Sequence, residues 1–145
     1  MLFVGDSRIG IELANDISRL ESIDAISTIF DVGANYGQSA WTFNKEFPKS
    51  LIFSFEPVSS NYDILTKNTC NQKNIITINE GLGEACSILP IGISGNPGAD
   101  SIKLVGKGID SEIIKINTID NFSNQNCIKI IDLLKIDVEG YEMNV

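Results

Sequence analysis

The 145 residues are enough for one domain with a packed core and too few for two. A net charge of −8, from 19 acidic and 11 basic side chains, opposes any grip on a nucleic-acid phosphate backbone, so no nucleic-acid partner is expected. No apolar run nears the ~18 residues of a membrane span and no basic-then-apolar leader is present, so the expectation is a cytoplasmic protein without a membrane span.

In chain order, residues 6–21 place Ile9, Leu13, Ile17 and Leu20 on one helical face, with Asp6 or Ser7 as cap. A short β-rich run over 27–32 leads into Gly33-Ala34-Asn35-Tyr36-Gly37. Residues 38–47 read as a helix with Ala40, Phe43 and Phe47 on one side, broken by Pro48. A second buried strand over 51–55 stops at Glu56-Pro57, and a helix over about 59–70 follows, with Tyr62 and Leu65 on one face. A third strand over 75–78 runs into the polar segment Asn79-Glu80-Gly81.

Continuous apolar strands alternating with helices predict a mostly parallel, doubly wound α/β sheet of Rossmann-like type. The stretch 85–117 departs from this pattern. Its β-prone runs at 87–93, 101–105 and 112–116, around a turn-rich ISGNPGAD, predict an antiparallel β-rich insertion before the fourth main strand. One helical turn over 117–122, capped by Asn117 or Thr118, precedes a strongly apolar strand over 129–136. The chain stops at Val145, soon after that fourth strand, so the expectation is a single domain whose C-terminal part is missing.

With no histidine, and with Cys70, Cys86 and Cys127 far apart, the usual zinc and iron–sulfur ligand sets are lacking; no metal is expected, and the thiols are read as reduced and mostly buried. The chemistry concentrates instead at the strand ends. Asp31-x-Gly33-x-Asn35-x-Gly37 lies between a strand and a helix, where glycines allow a tight turn and close approach of a ligand. It is not the G-x-G-x-x-G of a pyrophosphate loop. An acid at the strand tip would repel a pyrophosphate but suits the cationic methionine part of S-adenosylmethionine. Glu56 ends the next strand, where an acid can accept both ribose hydroxyls of an adenosine ligand. Asn79-Glu80-Gly81 reaches the same crevice and can meet adenine. In Lys135-Ile136-Asp137-Val138-Glu139, either Asp137 or Glu139 can take a proton from an acceptor hydroxyl; without histidine, a carboxylate or a lysine is the available base.

Taken together, IFDVGANYGQSA, FSFEPVSSNYDIL, NEGLGE, the TIDNF stretch and LLKIDVEGYE resemble the FkbM family of methyltransferases, over residues of about 28 to 142. The resemblance implies a class I methyltransferase fold and transfer of a methyl group from S-adenosylmethionine, typically to oxygen. The candidate cofactor contacts are then Asp31, Gly33, Ala34, Asn35, Gly37, Glu56, Pro57, Asn79, Glu80, Gly81 and Asp137, with Asp137 and Glu139 the candidate catalytic carboxylates. The implied partner is a small-molecule or glycan methyl acceptor. Two rival readings are a nucleotide-dependent Rossmann oxidoreductase, which shares Glu56 and the βαβ order, and a non-catalytic domain that binds the cofactor without turnover.

Overall fold

The computed structural model describes residues 2–4, 25–93, 110–138 and 141–145. The expected helix over 6–21, the β-prone run at 101–105, the turn-rich loop from residue 94 onward, and Glu139 and Gly140 lie outside the described residues. The described elements are β1 (Leu2–Val4), β2 (Thr28–Val32), α1 (Gln38–Glu46), β3 (Leu51–Phe55), α2 (Ser59–Thr69) and β4 (Ile75–Ile78). They continue with β5 (Gly81–Leu82), β6 (Ser87–Gly92), β7 (Ser111–Asn117), α3 (Ile119–Gln125), β8 (Leu133–Ile136) and a last 3₁₀ turn at Glu142–Asn144.

Five strands form a parallel sheet in the order β1-β8-β2-β3-β4. The apolar runs TIFDV, LIFSF and LLKI supply its centre because a parallel strand covered on both faces has no solvent side to place polar residues on. After β4 the chain returns to add β8 on the far side of β2. The strand order therefore reverses between β2 and β8, which is where open α/β sheets gather their ligands.

Alternation along each strand builds two cores. Ile29, Ile52, Ile75 and Leu133 pack under Ala40, Phe43 and Phe47 of the α1 region. Phe30, Val32, Phe53, Phe55, Leu134 and Ile136 face the other way, toward Phe122 of α3. The Phe122 ring meets Phe55 edge-on at 4.8 Å and Phe30 and Phe53 at 5.7 Å, an arrangement that favours the aromatic quadrupoles. Thr118 caps α3, its hydroxyl accepting the Asn121 N–H at 3.0 Å.

The insertion is a second sheet in the order β5-β7-β6, with β6 antiparallel to β7 as expected and β5 parallel to it. Ile91, Ile114 and Ile116 turn one face of it inward against Val58. Glu112 of β7 accepts the Ser59 N–H at 3.1 Å and also the Ser59 hydroxyl, so an acid from the second sheet caps α2.

Several expectations need correction. The buried seam of α2 is Asn61, Leu65 and Thr69 at i, i+4, i+8, with Tyr62 turned to a half-buried position. The last strand is Leu133–Ile136 and not 129–136; just before it the Asp132 N–H donates to the Thr28 carbonyl at 3.0 Å while its carboxylate accepts three hydrogen bonds from Ser27 and Thr28. Gly81, read as part of the polar segment after the third strand, opens the two-residue strand β5. Cys70, Cys86 and Cys127 are all exposed rather than buried: Cys70 ends α2, and Cys127 follows α3 with a left-handed φ of 56°.

Candidate active site

The loop between β2 and α1 is shaped by three left-handed residues in five: Gly33 at φ 73°, Asn35 at 49° and Gly37 at 95°. Asparagine is among the few non-glycine residues that adopt this region readily, which explains its place between the two glycines. At Gly33 the constraint is also spatial. A Cβ there would sit 1.9 Å from the carbonyl oxygen of Asp137. The Gly33 and Ala34 N–H groups both donate to the Phe55 carbonyl, at 3.0 and 2.9 Å, and so lash the loop to the tip of β3. Gly37 then opens α1 with no side-chain cap of its own.

Glu56 braces the same loop. One carboxylate oxygen accepts the Asn35 N–H at 2.9 Å, the other the Val58 N–H at 3.0 Å, and the residue is buried. Next to it, Asn79 donates to the carbonyls of Glu56 and Pro57 at 2.9 and 3.1 Å. The Asn35 side-chain carbonyl is buried and has no hydrogen-bond partner, one of three such side-chain atoms among the described residues. A buried acceptor left in this state costs about 1–3 kcal/mol.

Asp31 lies deeper than its place at the strand tip suggested. It is fully buried; its oxygens accept the Ser39 hydroxyl at 2.8 and 2.7 Å, and Lys135 Nζ stands 3.1 Å away. Asp31 and Lys135 are register partners on β2 and β8, so both project under α1, where Ser39 meets them. Lys135 also donates to the carbonyls of Gly33 at 2.7 Å and Val32 at 3.3 Å, and its ammonium lies 3.9 Å from Asp137. Asp137 keeps its side chain 29% exposed, the most open of the three.

Glu80 turns away from this group. It pairs with Lys115 and accepts the Asn117 amide at 2.9 Å, both on the second sheet. The hydrogen bond and the charge of Glu80 raise the Lys115 pKa. Gly81 lines a cleft between the two sheets, with Val32, Gly33, Pro57, Leu82, Ile91, Ile114, Ile116, Val138 and Tyr141. That wall is almost wholly apolar.

The structure thus brings Asp31, Gly33, Asn35, Gly37, Glu56, Pro57, Asn79 and Asp137 to the carboxyl ends of β2, β3, β4 and β8, while Glu80 serves the second sheet. Sequence reasoning missed Ser39 and the cleft wall from the second sheet, and gave Lys135 no partner. The signal for Lys135 was present: a charged residue inside LLKI needs a buried counter-ion.

Comparison with known proteins bears on the family and the fold. The chain is 26% identical over 151 residues to Methyltransferase sdnD of Sordaria araneosa, spanning 81% of this chain and 58% of that protein. It matches the crystal structure of Methyltransferase FkbM from Methylobacillus flagellatus KT with a TM-score of 0.54 and 17% identity, over 81% of this chain and 27% of that one. At that identity the likeness speaks for the fold, which is Rossmann-like of the methyltransferase type. The chain spans less than two thirds of the length of either relative. The model of the methyltransferase FkbM domain matches residues 31–145, and on that match the chain belongs to the FkbM methyltransferase family.

Proposed function

We propose that the chain is a single donor-binding domain of an S-adenosylmethionine-dependent methyltransferase that methylates a hydroxyl of a small molecule, sugar or glycan. The observation that carries this reading is the buried, unpartnered carbonyl of Asn35 beside the loop brace of Glu56. Asn35 Oδ1 and Glu56 would hold hydrogen-bond donors of the ligand, the ribose hydroxyls among them. The apolar walls at Pro57 and Leu82 suit a flat purine face. Asp137, the open carboxylate, would face the cationic end of the donor. When bound, the donor supplies a methyl group activated on a sulfonium sulfur.

The proton of the acceptor hydroxyl needs a base. Lys135 is unsuited, because Gly33 O, Val32 O and Asp31 Oδ1 offer an acceptor for each of its three protons. Asp137 would take the proton at its exposed carboxylate, with Glu139 the second candidate. Alignment of the acceptor oxygen with the donated methyl then supplies most of the rate.

Calorimetric titration with S-adenosylmethionine, S-adenosylhomocysteine and NAD(H) tests the reading. An Asn35→Gly variant keeps the left-handed turn and deletes the carbonyl. The expected result is binding of the first two ligands, weakened on the order of tenfold in Asn35→Gly, and no binding of NAD(H). Preference for NAD(H) would replace the methyltransferase with an oxidoreductase, and a folded chain that binds none of the three would overturn the donor site.

A further inference from the structure

The group formed by Asp31, Lys135 and Asp137 carries two carboxylates and one ammonium, hence one net negative charge. Its members differ in access. Asp31 is fully buried, Lys135 has 11% of its side chain exposed, and Asp137 has 29%. The ammonium is 3.1 Å from the buried carboxylate and 3.9 Å from the open one. Its hydrogen bond to Gly33 O, at 2.7 Å, ties the same charge to the turn of the cofactor loop. Asp31 has its oxygens turned to Ser39 and Lys135, so it acts on a ligand through its charge and not by contact.

From this geometry we infer that Lys135 is a positioning residue that sets the charge of the donor pocket. It neutralises Asp31, leaves Asp137 as the one uncompensated carboxylate of the group, and so fixes how strongly the site prefers a sulfonium ligand over a neutral thioether. The inference rests on the donor reading given above. S-adenosylmethionine differs from S-adenosylhomocysteine by the transferable methyl group and the positive charge on sulfur, and of these two differences it is the charge that senses the field. Inside a protein one unit of charge at short range has a large effect, because the effective dielectric is well below that of water. With the compensation in place, the pocket holds the charged donor without adding a second full negative charge that would trap it.

The ratio of the two dissociation constants is the readout. Asp31→Asn keeps the size of the side chain and an acceptor for Ser39, and takes the group from −1 to zero. It should shift the ratio toward S-adenosylhomocysteine on the order of tenfold. The double variant Asp31→Asn with Lys135→Met returns the group to −1 and should restore the wild-type ratio. Glu56 is untouched in both. A role confined to holding the loop would weaken both ligands in parallel, so an unmoved ratio in Asp31→Asn overturns the proposal, as does a double variant that fails to restore it. Should Asp31→Asn not fold, Asp137→Asn makes the same change from −1 to zero at the more open residue with the buried pair intact, and an unmoved ratio there overturns the proposal. Wild-type protein that binds neither ligand refutes the donor reading itself. Wild type that binds both, with ratios that ignore these charges, refutes only the role of Lys135.

Discussion

Lys135 and Asp31 sit directly opposite each other on β8 and β2, with the ammonium 3.1 Å from a carboxylate that has no solvent exposure. Such a pair forms only when both strands are in register, so it reports correct assembly of the centre of the sheet. Breaking one side leaves a buried charge without its partner. Lys135→Met should therefore cost about 3–5 kcal/mol of stability in chemical denaturation, while Asp31→Asn with Lys135→Met should cost clearly less. Equal losses in the single and double variants would show that packing of the lysine stem, not the ion pair, carries the stability.

Gly33→Ala should damage fold and site together. The new Cβ would fall 1.9 Å from a backbone oxygen of Asp137, and the φ of 73° disfavours any side chain. Backbone strain alone costs about 1–3 kcal/mol, and the overlap forces β2 and β8 apart at their tips. A melting temperature within a degree of wild type would contradict this packing.

How far these features can be read from the amino-acid order depends on how local they are. The strands β2, β3 and β4 and the helix α1 are legible because each is a continuous apolar run or a single periodic face. The glycine loop and Glu56 are legible because their meaning lies in spacing along one βαβ unit. Nothing local tells that Lys135 meets Asp31, that Glu112 caps α2, or that Glu80 prefers Lys115 to the crevice. Those are contacts between distant segments, settled by register and by which edge the second sheet occupies. The length of β8 was misjudged for a related reason. Apolar Ile130 suggested strand, yet it is 67% exposed and precedes the ladder, which begins where Leu133 meets Ile29. The two- and three-residue strands β5 and β1 have too little sequence to show any period.

The different surroundings of Glu56 and Glu80 separate them by experiment. Glu56→Gln replaces a carboxylate that accepts two backbone N–H groups in a buried setting, and should destabilise the loop by about 1–3 kcal/mol. It should also weaken S-adenosylmethionine on the order of tenfold or more in calorimetry, since a neutral amide is a poorer acceptor for ribose hydroxyls. Glu80→Gln removes a surface-side partner of Lys115 and keeps an acceptor for Asn117, so its effect on ligand binding should stay within about threefold. Comparable loss of affinity in both variants would return Glu80 to the ligand site.

Acid should loosen the junction of β2 with the segment entering β8. Burial works against ionisation of Asp132, but the Ser27 N–H, the Ser27 hydroxyl and the Thr28 N–H outweigh it and hold its pKa below the ordinary carboxylate range. A folded-state pKa lower than the unfolded one means the unfolded chain binds the proton more readily. The stabilisation is therefore complete above the ordinary aspartate value of about 3.9 and is lost as the pH falls through the lowered folded value. Asp132→Asn removes this contribution at every pH. It should lower stability near neutrality by a modest amount, because the group is largely in reach of solvent, and flatten the decline below about pH 4. Denaturation curves of the two proteins between neutrality and pH 3 decide the matter. Parallel curves across that whole range would show that the Ser27 and Thr28 hydrogen bonds do not depend on the charge of Asp132.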